Sequence, residues 1–370
     1  MRFLIISDLI HKAYEDEILT YGPYIKEINL WLNHVDEVEI VAPVVYKEPN
    51  AIDLSYKHTK IYLNSVPSLN LLTWANRIRT LFFLPYVLSK LFFAMQRADH
   101  IHLRCPNNMG LLGAMVQVFF PQKKKTAKYA NNWDPSHPQP WTYKLQRKIL
   151  SHEQLTKNID VLVYGEWKNQ SKNIKSFFTA TYHEDEKQEL LPRKLDDIIK
   201  LIYIGHMGIN KRPMLCVEVA KKLIELGYEV KLDMFGEGPE MQILEEFIES
   251  WSLQDAITLH GNRNSDVVKE YIGNANFLIL ASMSEGWPKV IAESMFWGCV
   301  PLTTDVSCVN YMIGDGSRGS IIEPRQDDVV AKIINYIDNP SLYEEASIKG
   351  LQWSQQYTLE RFEAEIGKLL

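Results

Sequence analysis

Short apolar runs alternate with helical patterns along the whole chain, and no other feature narrows the possible folds as much. "RFLIIS" opens the chain and leads to a helical stretch near 22–34, then to "EVEIVAP" at 37–43. "ADHIHLR" at 98–104, "TAKYAN" and "DVLVYG" at 160–165 follow. The pattern restarts with "IKLIYIG" at 199–205. It continues through a helix at 213–226, "EVKLDMFG" at 229–236, a helix at 239–250, "AITLHG" at 256–261, a helix at 265–274 and "FLILAS" at 277–282. Repeated strand–helix units imply a parallel sheet with helices on both faces. The expected fold is α/β, with two Rossmann-like, doubly wound parallel-sheet domains. The polar stretch at 179–197 reads as the linker, and 370 residues suit two cores. Ligands of such sheets sit beyond the carboxyl ends of the strands, so the loops there are where chemistry is expected.

Charge is distributed unevenly. The net charge is −6, yet residues 57–128 hold eleven Lys and Arg against one acid, Asp99. That asymmetry suggests an anionic partner for the first half. Residues 70–97 mix Trp, Phe and Leu with Arg77, Arg79, Lys90 and Arg97. They read either as an interfacial helix on anionic lipid or as a core helix with a solvated basic face. "QKKKTAK" at 122–128 would add attraction to a membrane surface. Nucleic acid is not expected as a partner, because no recognition motif accompanies the charge. The most apolar stretch, 81–95, reads as broken by Pro85 and Lys90 and too short to span a bilayer. Cys105, Cys216, Cys299 and Cys308 form no CxxC pair, which suggests neither a zinc site nor a disulfide framework and fits a cytoplasmic location. "MRFLIISDLIHKAYEDE" reads as a first strand, not a signal peptide.

The sharpest local feature is "SEGWPKVIAE" at 284–293, with Glu285 and Glu293 flanking seven residues whose one other charge is Lys289. The strand before it ends near Ser282, Pro288 fits the first helical position, and Gly298 fits the cap at the far end. Glu285 then falls in the strand-to-helix loop and Glu293 inside the helix. Free N–H groups around Pro288, Lys289 and Val290 form an anion site, and carboxylates accept hydrogen bonds from sugar hydroxyls. A solvated helix acid plus a turn acid is the plain alternative.

With "FWGCVPLTT" at 296–304, this stretch resembles the signature of the retaining glycosyltransferases of family four, which have the GT-B fold. The resemblance implies that Glu293 holds the nucleotide ribose, that Glu285 contacts the transferred sugar, and that Gly286 belongs to the same loop. "YIGHMGINKRP" at 203–213 is similar to the family's diphosphate-binding segment. It implies roles for Gly205 and for Lys211, six positions later. His206 stands where the family has arginine, and the neighbouring Arg212 is placed to compensate. "DMFGEGPE" at 233–240 resembles the turn bordering the nucleotide pocket, through Gly236, and Asn262 and Arg263 resemble the segment that meets the base. In the first half, Gly22 is the candidate for the family's Gly-Gly loop beneath the diphosphate. Asn131, Asn132 and Asp134 occupy the place of a histidine that points at the sugar. In "HIHLRCP", His102 and Arg104 stand at a strand end; one is expected to reach the crevice, and alternation to bury the other.

The resemblance implies an enzyme of the hexosyltransferase class, of the kind acting in bacterial surface polysaccharide assembly. It would move a sugar from a UDP- or GDP-sugar to a hydroxyl of a glycan or lipid-linked glycan, with retention. Lys211, Glu285 and Asp134 are the catalytic candidates, with no metal and no further cofactor. The expected domains are 1–185 on the acceptor side, 186–356 for the nucleotide sugar, and a closing helix at 357–370. The expected location is cytoplasmic, peripheral on the inner face of the membrane. A sugar-nucleotide epimerase of the same fold and a non-catalytic sugar-binding protein are the alternatives.

Overall fold

The computed structural model describes every residue except 51, 72, 135, 136, 192 and 196. Two positions of the expected linker, and Pro135 after Asp134, therefore lie outside the described residues. The chain divides into two units, one of Met1–Phe178 with Phe362–Leu370 and one of Thr179–Arg361.

In chain order the first unit contains β1 (Arg2–Ile6), β2 (His11–Tyr14), β3 (Glu17–Tyr21), α1 (Gly22–Leu32), β4 (Glu37–Ala42), β5 (Val44–Val45), β6 (Asp53–Ser55) and β7 (Ile61–Ser65). It continues with α2 (Trp74–Arg97), β8 (His100–Cys105), α3 (Asn108–Val116), β9 (Lys124–Tyr129), α4 (Trp141–Leu150), β10 (Ile159–Val163) and β11 (Ile174–Ser176). Seven strands form a parallel sheet in the order β11-β10-β9-β8-β1-β4-β7. Winding runs outward from β1 in both directions, so β1 and β8 flank the point where strand order reverses. Phe3, Leu4, Ile5 and Ile6 are all fully buried, because helices cover both faces of a parallel sheet and leave neither to water.

A four-stranded sheet, β5-β2-β3-β6, is an addition to the expected architecture. Its central hairpin turns at Glu15 and Asp16, both with positive φ. A two-residue turn of this kind is ordinarily signalled by Asn or Gly, and neither is present.

Two expectations about the basic segment are overturned. The stretch 81–95 is not broken at Pro85; it lies within α2, a continuous helix of 24 residues long and apolar enough to cross a membrane by length and composition. Thr73 caps its start, its Oγ1 accepting from the Asn76 N–H at 3.2 Å. The lysines of 122–128 are not a surface run either, because most of them lie in β9. Lys125 is buried, with Nζ on the Phe120 carbonyl at 2.6 Å, and burial lowers its ammonium to about 8. Lys128 is buried over the rings of Tyr164 and Phe177. Lys123 donates to the carbonyls of Gln96 and Ala98. Lys124 is the exposed one.

The second unit contains β12 (Ile199–Ile204), α5 (Pro213–Glu225), β13 (Val230–Phe235), α6 (Met241–Ser250), β14 (Ile257–Gly261), α7 (Ser265–Asn274), β15 (Phe277–Leu280) and α8 (Lys289–Phe296). Then come β16 (Val300–Thr303), α9 (Val309–Ile313), β17 (Ser320–Ile321), α10 (Gln326–Asp338) and α11 (Pro340–Ser354). The last helix, α12 (Leu359–Leu369), contributes Phe362 to the first unit, where its ring meets Phe177 and Phe178. The sheet is fully parallel in the order β14-β13-β12-β15-β16-β17. Strand order here reverses between β12 and β15.

Candidate functional site

At the carboxyl edge of the second sheet, the loops after β12 and β15 meet across the reversal point. Lys211 follows β12 and Glu285 follows β15; the Lys211 ammonium donates to Glu285 Oε1 at 2.5 Å. The loops are also joined through backbone, Met283 N–H to the Asn210 carbonyl at 2.8 Å. Arg212 takes a left-handed conformation ahead of Pro213, the first residue of α5. Its guanidinium donates to the Ala281 carbonyl at 3.2 Å, so part of its hydrogen-bonding capacity holds the β15 strand end.

The glycines on this edge have packing reasons. The Gly205 N–H bonds the Phe235 carbonyl, Met207 N–H that of Glu237, and Gly236 N–H that of Gly261. Gly236 has φ +127°, and a Cβ there would stand 1.9 Å from the Gly205 oxygen. Only glycine permits that approach. A Cβ at Gly238 would meet the Met207 carbonyl at 2.3 Å and the His206 ring at 2.9 Å. His206 is exposed above these loops, with its carbonyl bonded by the Tyr203 hydroxyl. Asn262 and Arg263 are exposed between β14 and α7.

Pro288 caps α8 from outside, and helical residues begin at Lys289. Proline has no N–H, so the helix start offers the amides of Lys289 and Val290; that of Ile291 bonds the Pro288 carbonyl. The Gly286 carbonyl is held by Ser307 Oγ at 2.9 Å and Cys308 Sγ at 3.3 Å. Trp287 turns inward onto Trp353 and Tyr357. Glu293, one turn into α8, accepts from Thr181 Oγ1 at 2.8 Å. A small pocket lies beside it, lined by Thr181, Tyr182, Trp287, Lys289, Glu293 and Tyr357. Burial, with the Glu293 charge adding to it, raises the Tyr182 phenol well above its ordinary value. Thr181 and Tyr182 were expected only as linker. Nothing local in "TATYHEDE" marks them as pocket residues, because the chain returns to α8 through tertiary packing.

In the first unit the reversal point lies between β1 and β8. Asp8 follows β1 and is exposed, and Arg104 is the penultimate residue of β8; partial desolvation among the surrounding loops raises the Asp8 carboxyl, and Arg104 opposes that shift. The Arg104 guanidinium stacks on the Tyr24 ring at 4.4 Å. Sequence reasoning passed over Asp8, although its place just after an apolar strand was a usable signal. His102 is a correction. Residues two apart on a strand share a face, so alternation does not separate His102 from Arg104; depth along the strand does. His102 is buried against Phe3 and Trp31 and bonded to Thr126 Oγ1 at 2.9 Å, and burial lowers its imidazole to about 3. It does not reach the edge.

Gly22 is a second correction. Its N–H is taken by the Ile52 carbonyl at 2.9 Å, and a Cβ would stand 2.4 Å from that oxygen. It packs α1 against a neighbouring segment and offers no free amide to a diphosphate. Asn132 is buried and builds a turn, its Oδ1 accepting from the Asp134 N–H at 2.8 Å. The Asp134 carbonyl is bonded by Arg147. Asn131 remains exposed.

Residues 184–353 match the family described as Glycosyl transferases group 1. Among curated proteins, the alpha-D-kanosaminyltransferase of Streptomyces kanamyceticus is 28% identical over 163 residues, 44% of this chain and 42% of that protein. The chain spans about half the length, or less, of the curated relatives it matches first. Among solved structures, sucrose-phosphate synthase from Thermosynechococcus elongatus superposes with a TM-score of 0.66 at 15% identity, covering 100% of this chain and 98% of that one. HepE of Anabaena in complex with UDP gives 0.70 at 12%, covering 99% and 98%. The fold is GT-B.

Proposed function

We propose that this protein is a retaining glycosyltransferase that moves a hexosyl group from a nucleotide sugar to a hydroxyl of a glycan or lipid-linked glycan. The observation that carries the reading is the Lys211–Glu285 pair across the β12/β15 reversal point, where ligands of open parallel sheets bind. The match of residues 184–353 to a transferase family and the UDP held by the Anabaena neighbour support it. Neither the epimerase nor the non-catalytic reading finds support among these relatives.

In this reading the donor diphosphate competes with Glu285 for the Lys211 ammonium. Lys211 and the Lys289 and Val290 amides stabilise charge on the departing diphosphate, which grows in the transition state. Glu285, released, meets the hydroxyls of the sugar. Glu293 holds the ribose, and Gly205, Gly236 and Gly286 shape the pocket around it. His206 and Arg212 border the phosphates, and Asn262 and Arg263 the base. The diphosphate takes the acceptor proton, and no cofactor is required. Arg104 and Asn131, with Asp8 added, serve the acceptor in the first unit, which ends at Phe178 and not at 185 and includes Phe362–Leu370 of the last helix. The second unit, Thr179–Arg361, serves the donor; Thr181 and Tyr182, expected on the acceptor side, belong to it. The enzyme works in the cytoplasm in polysaccharide assembly, peripheral to an anionic membrane near residues 70–97.

The test is release of nucleoside diphosphate from UDP- and GDP-hexoses in the presence of glycan acceptors. Lys211→Ala should cut transfer about a hundredfold and leave the melting temperature near that of the wild type. A full transfer rate in that variant would remove Lys211 from the mechanism. Conversion of donor to an epimer without an acceptor product would replace the reading.

A further inference from the structure

Helix α2 carries two apolar stripes. One consists of Val87, Leu91, Ala94 and Met95 and packs into the core of the first unit. The other faces away from it: Trp74, Ile78, Leu81, Phe82, Tyr86 and Phe93 are 45–79% exposed. At 3.6 residues per turn these six occupy a single arc of about 140°. Apolar residues on a helix are normally buried; here, among the described residues, those of the outer stripe lie exposed. The patch extends beyond the helix, because the Phe92 ring lies 6.4 Å from that of Phe119, itself 72% exposed. Contiguous apolar surface of this kind marks an interaction site.

Charge indicates what covers it. Arg79 and Lys90 border one side of the stripe and Arg77 the other, and no Asp or Glu occurs from Lys57 to Ala98. The cations lie over the helix's own aromatics, Arg77 on Trp74, Arg79 on Phe83 and Lys90 on Tyr86. Arg97 is engaged elsewhere, with the buried Glu39. Two copies meeting through this face would bring cation against cation, whereas an anionic leaflet complements both the stripe and its border. Trp and Tyr also favour the boundary between headgroups and acyl chains. Because the inner stripe is fixed to the sheet, the helix lies along a surface and does not cross it. The chain enters α2 from the carboxyl end of β7, so Trp74–Tyr86 lie toward the carboxyl edge of the sheet, the edge that carries Asp8 and Arg104.

We propose that the outer stripe of α2 inserts into the headgroup–acyl boundary of an anionic lipid leaflet as a monotopic docking surface. This deepens the membrane partner named above and rests on that reading only for the choice of surface. With the lysines of β9 largely internal, apolar insertion and not polybasic attraction dominates.

The experiment is co-sedimentation of the full chain with phosphatidylglycerol–phosphatidylcholine vesicles and with pure phosphatidylcholine vesicles, at low and high salt. The triple variant Ile78→Ser, Leu81→Ser, Phe82→Ser should lose at least about a hundredfold in partitioning, with unchanged circular dichroism. The variant Arg77→Gln, Arg79→Gln, Lys90→Gln should lose less, keep its residual binding to neutral vesicles, and cease to respond to salt. Wild-type partitioning by the triple Ser variant would overturn the proposal. So would a vesicle-free dimer of the wild type that this variant dissolves, which would make a second copy the occupant. Donor binding by the triple Ser variant should stay intact, so failure here leaves the transferase reading standing, and failure of transfer leaves vesicle binding to be read alone.

Discussion

The two parallel sheets hold their carboxyl edges by different means. In the second unit backbone joins the loops: Gly236 approaches the Gly205 carbonyl so closely that no side chain fits there, its N–H bonds the Gly261 carbonyl, and Lys211 and Glu285 pair across the neighbouring loops. In the first unit side chains serve as the framework. His11 bonds the Tyr56 hydroxyl and Arg104 lies on Tyr24, while His102 bonds Thr126 deeper in the sheet, below the edge. Histidines show the contrast best. His11, His100 and His102 of the first unit are buried, and desolvation lowers them to about 4, 3 and 3. In the second unit His183 faces Glu360 and His260 faces Asp233, and His183 is raised, chiefly by its hydrogen bond to Glu360. An edge held by backbone leaves its charged groups available to a ligand, while an edge held by side chains uses them for the fold.

Acid should separate the units most strongly. For the three depressed histidines the unfolded chain binds protons below its ordinary value of 6.5, while the folded chain does not until near 4 or 3. Stability therefore falls with pH across that window, by roughly 3 kcal/mol for each such histidine at pH 4. The raised His183 acts in the opposite sense: its contribution is present below 6.5 and lost as pH rises through its folded value. Hydrogen exchange followed from pH 7 to pH 4 should show β1 and β8 losing protection before β12 and β13. Equal loss in both sheets would break the comparison.

A smaller effect is expected at Gly236. Gly236→Ala places a methyl carbon against the Gly205 carbonyl at a strained φ, and should cost about 3 kcal/mol in thermal unfolding. Tolerance of alanine there would mean that the second edge is not held by backbone contact.

Smallest is Glu293→Gln. The amide oxygen still accepts from Thr181, so the melting temperature should be nearly unchanged. Nucleoside diphosphate affinity measured by calorimetry should fall by about tenfold, as a charged hydrogen bond is lost. Unchanged affinity would remove the ribose assignment.

Residues 199–280 were legible as strands and helices nearly to the residue, because each strand is a short run dominated by apolar residues and each helix between them an amphipathic one. The placement of Lys211 and Glu285 in the loops after β12 and β15 was also legible, through the resemblance of their motifs to those of a known family. What the sequence could not show was depth. His102, Lys125 and Lys128 read as polar groups available for function, yet each is internal. Thr181 and Tyr182 read as linker, yet they line the pocket at Glu293. The hairpin at Glu15 and Asp16 was invisible because its turn lacks the residues that usually announce one. Local pattern, then, determined the strands, the helices and the loops after β12 and β15 where Lys211 and Glu285 stand. Tertiary structure alone decided which polar groups became framework, which apolar stripe of α2 stayed outside, and that Lys211 and Glu285, 74 positions apart, share one hydrogen bond. The physical reason is that periodicity is written in neighbouring residues, whereas burial depends on what packs against a side chain from elsewhere in the chain.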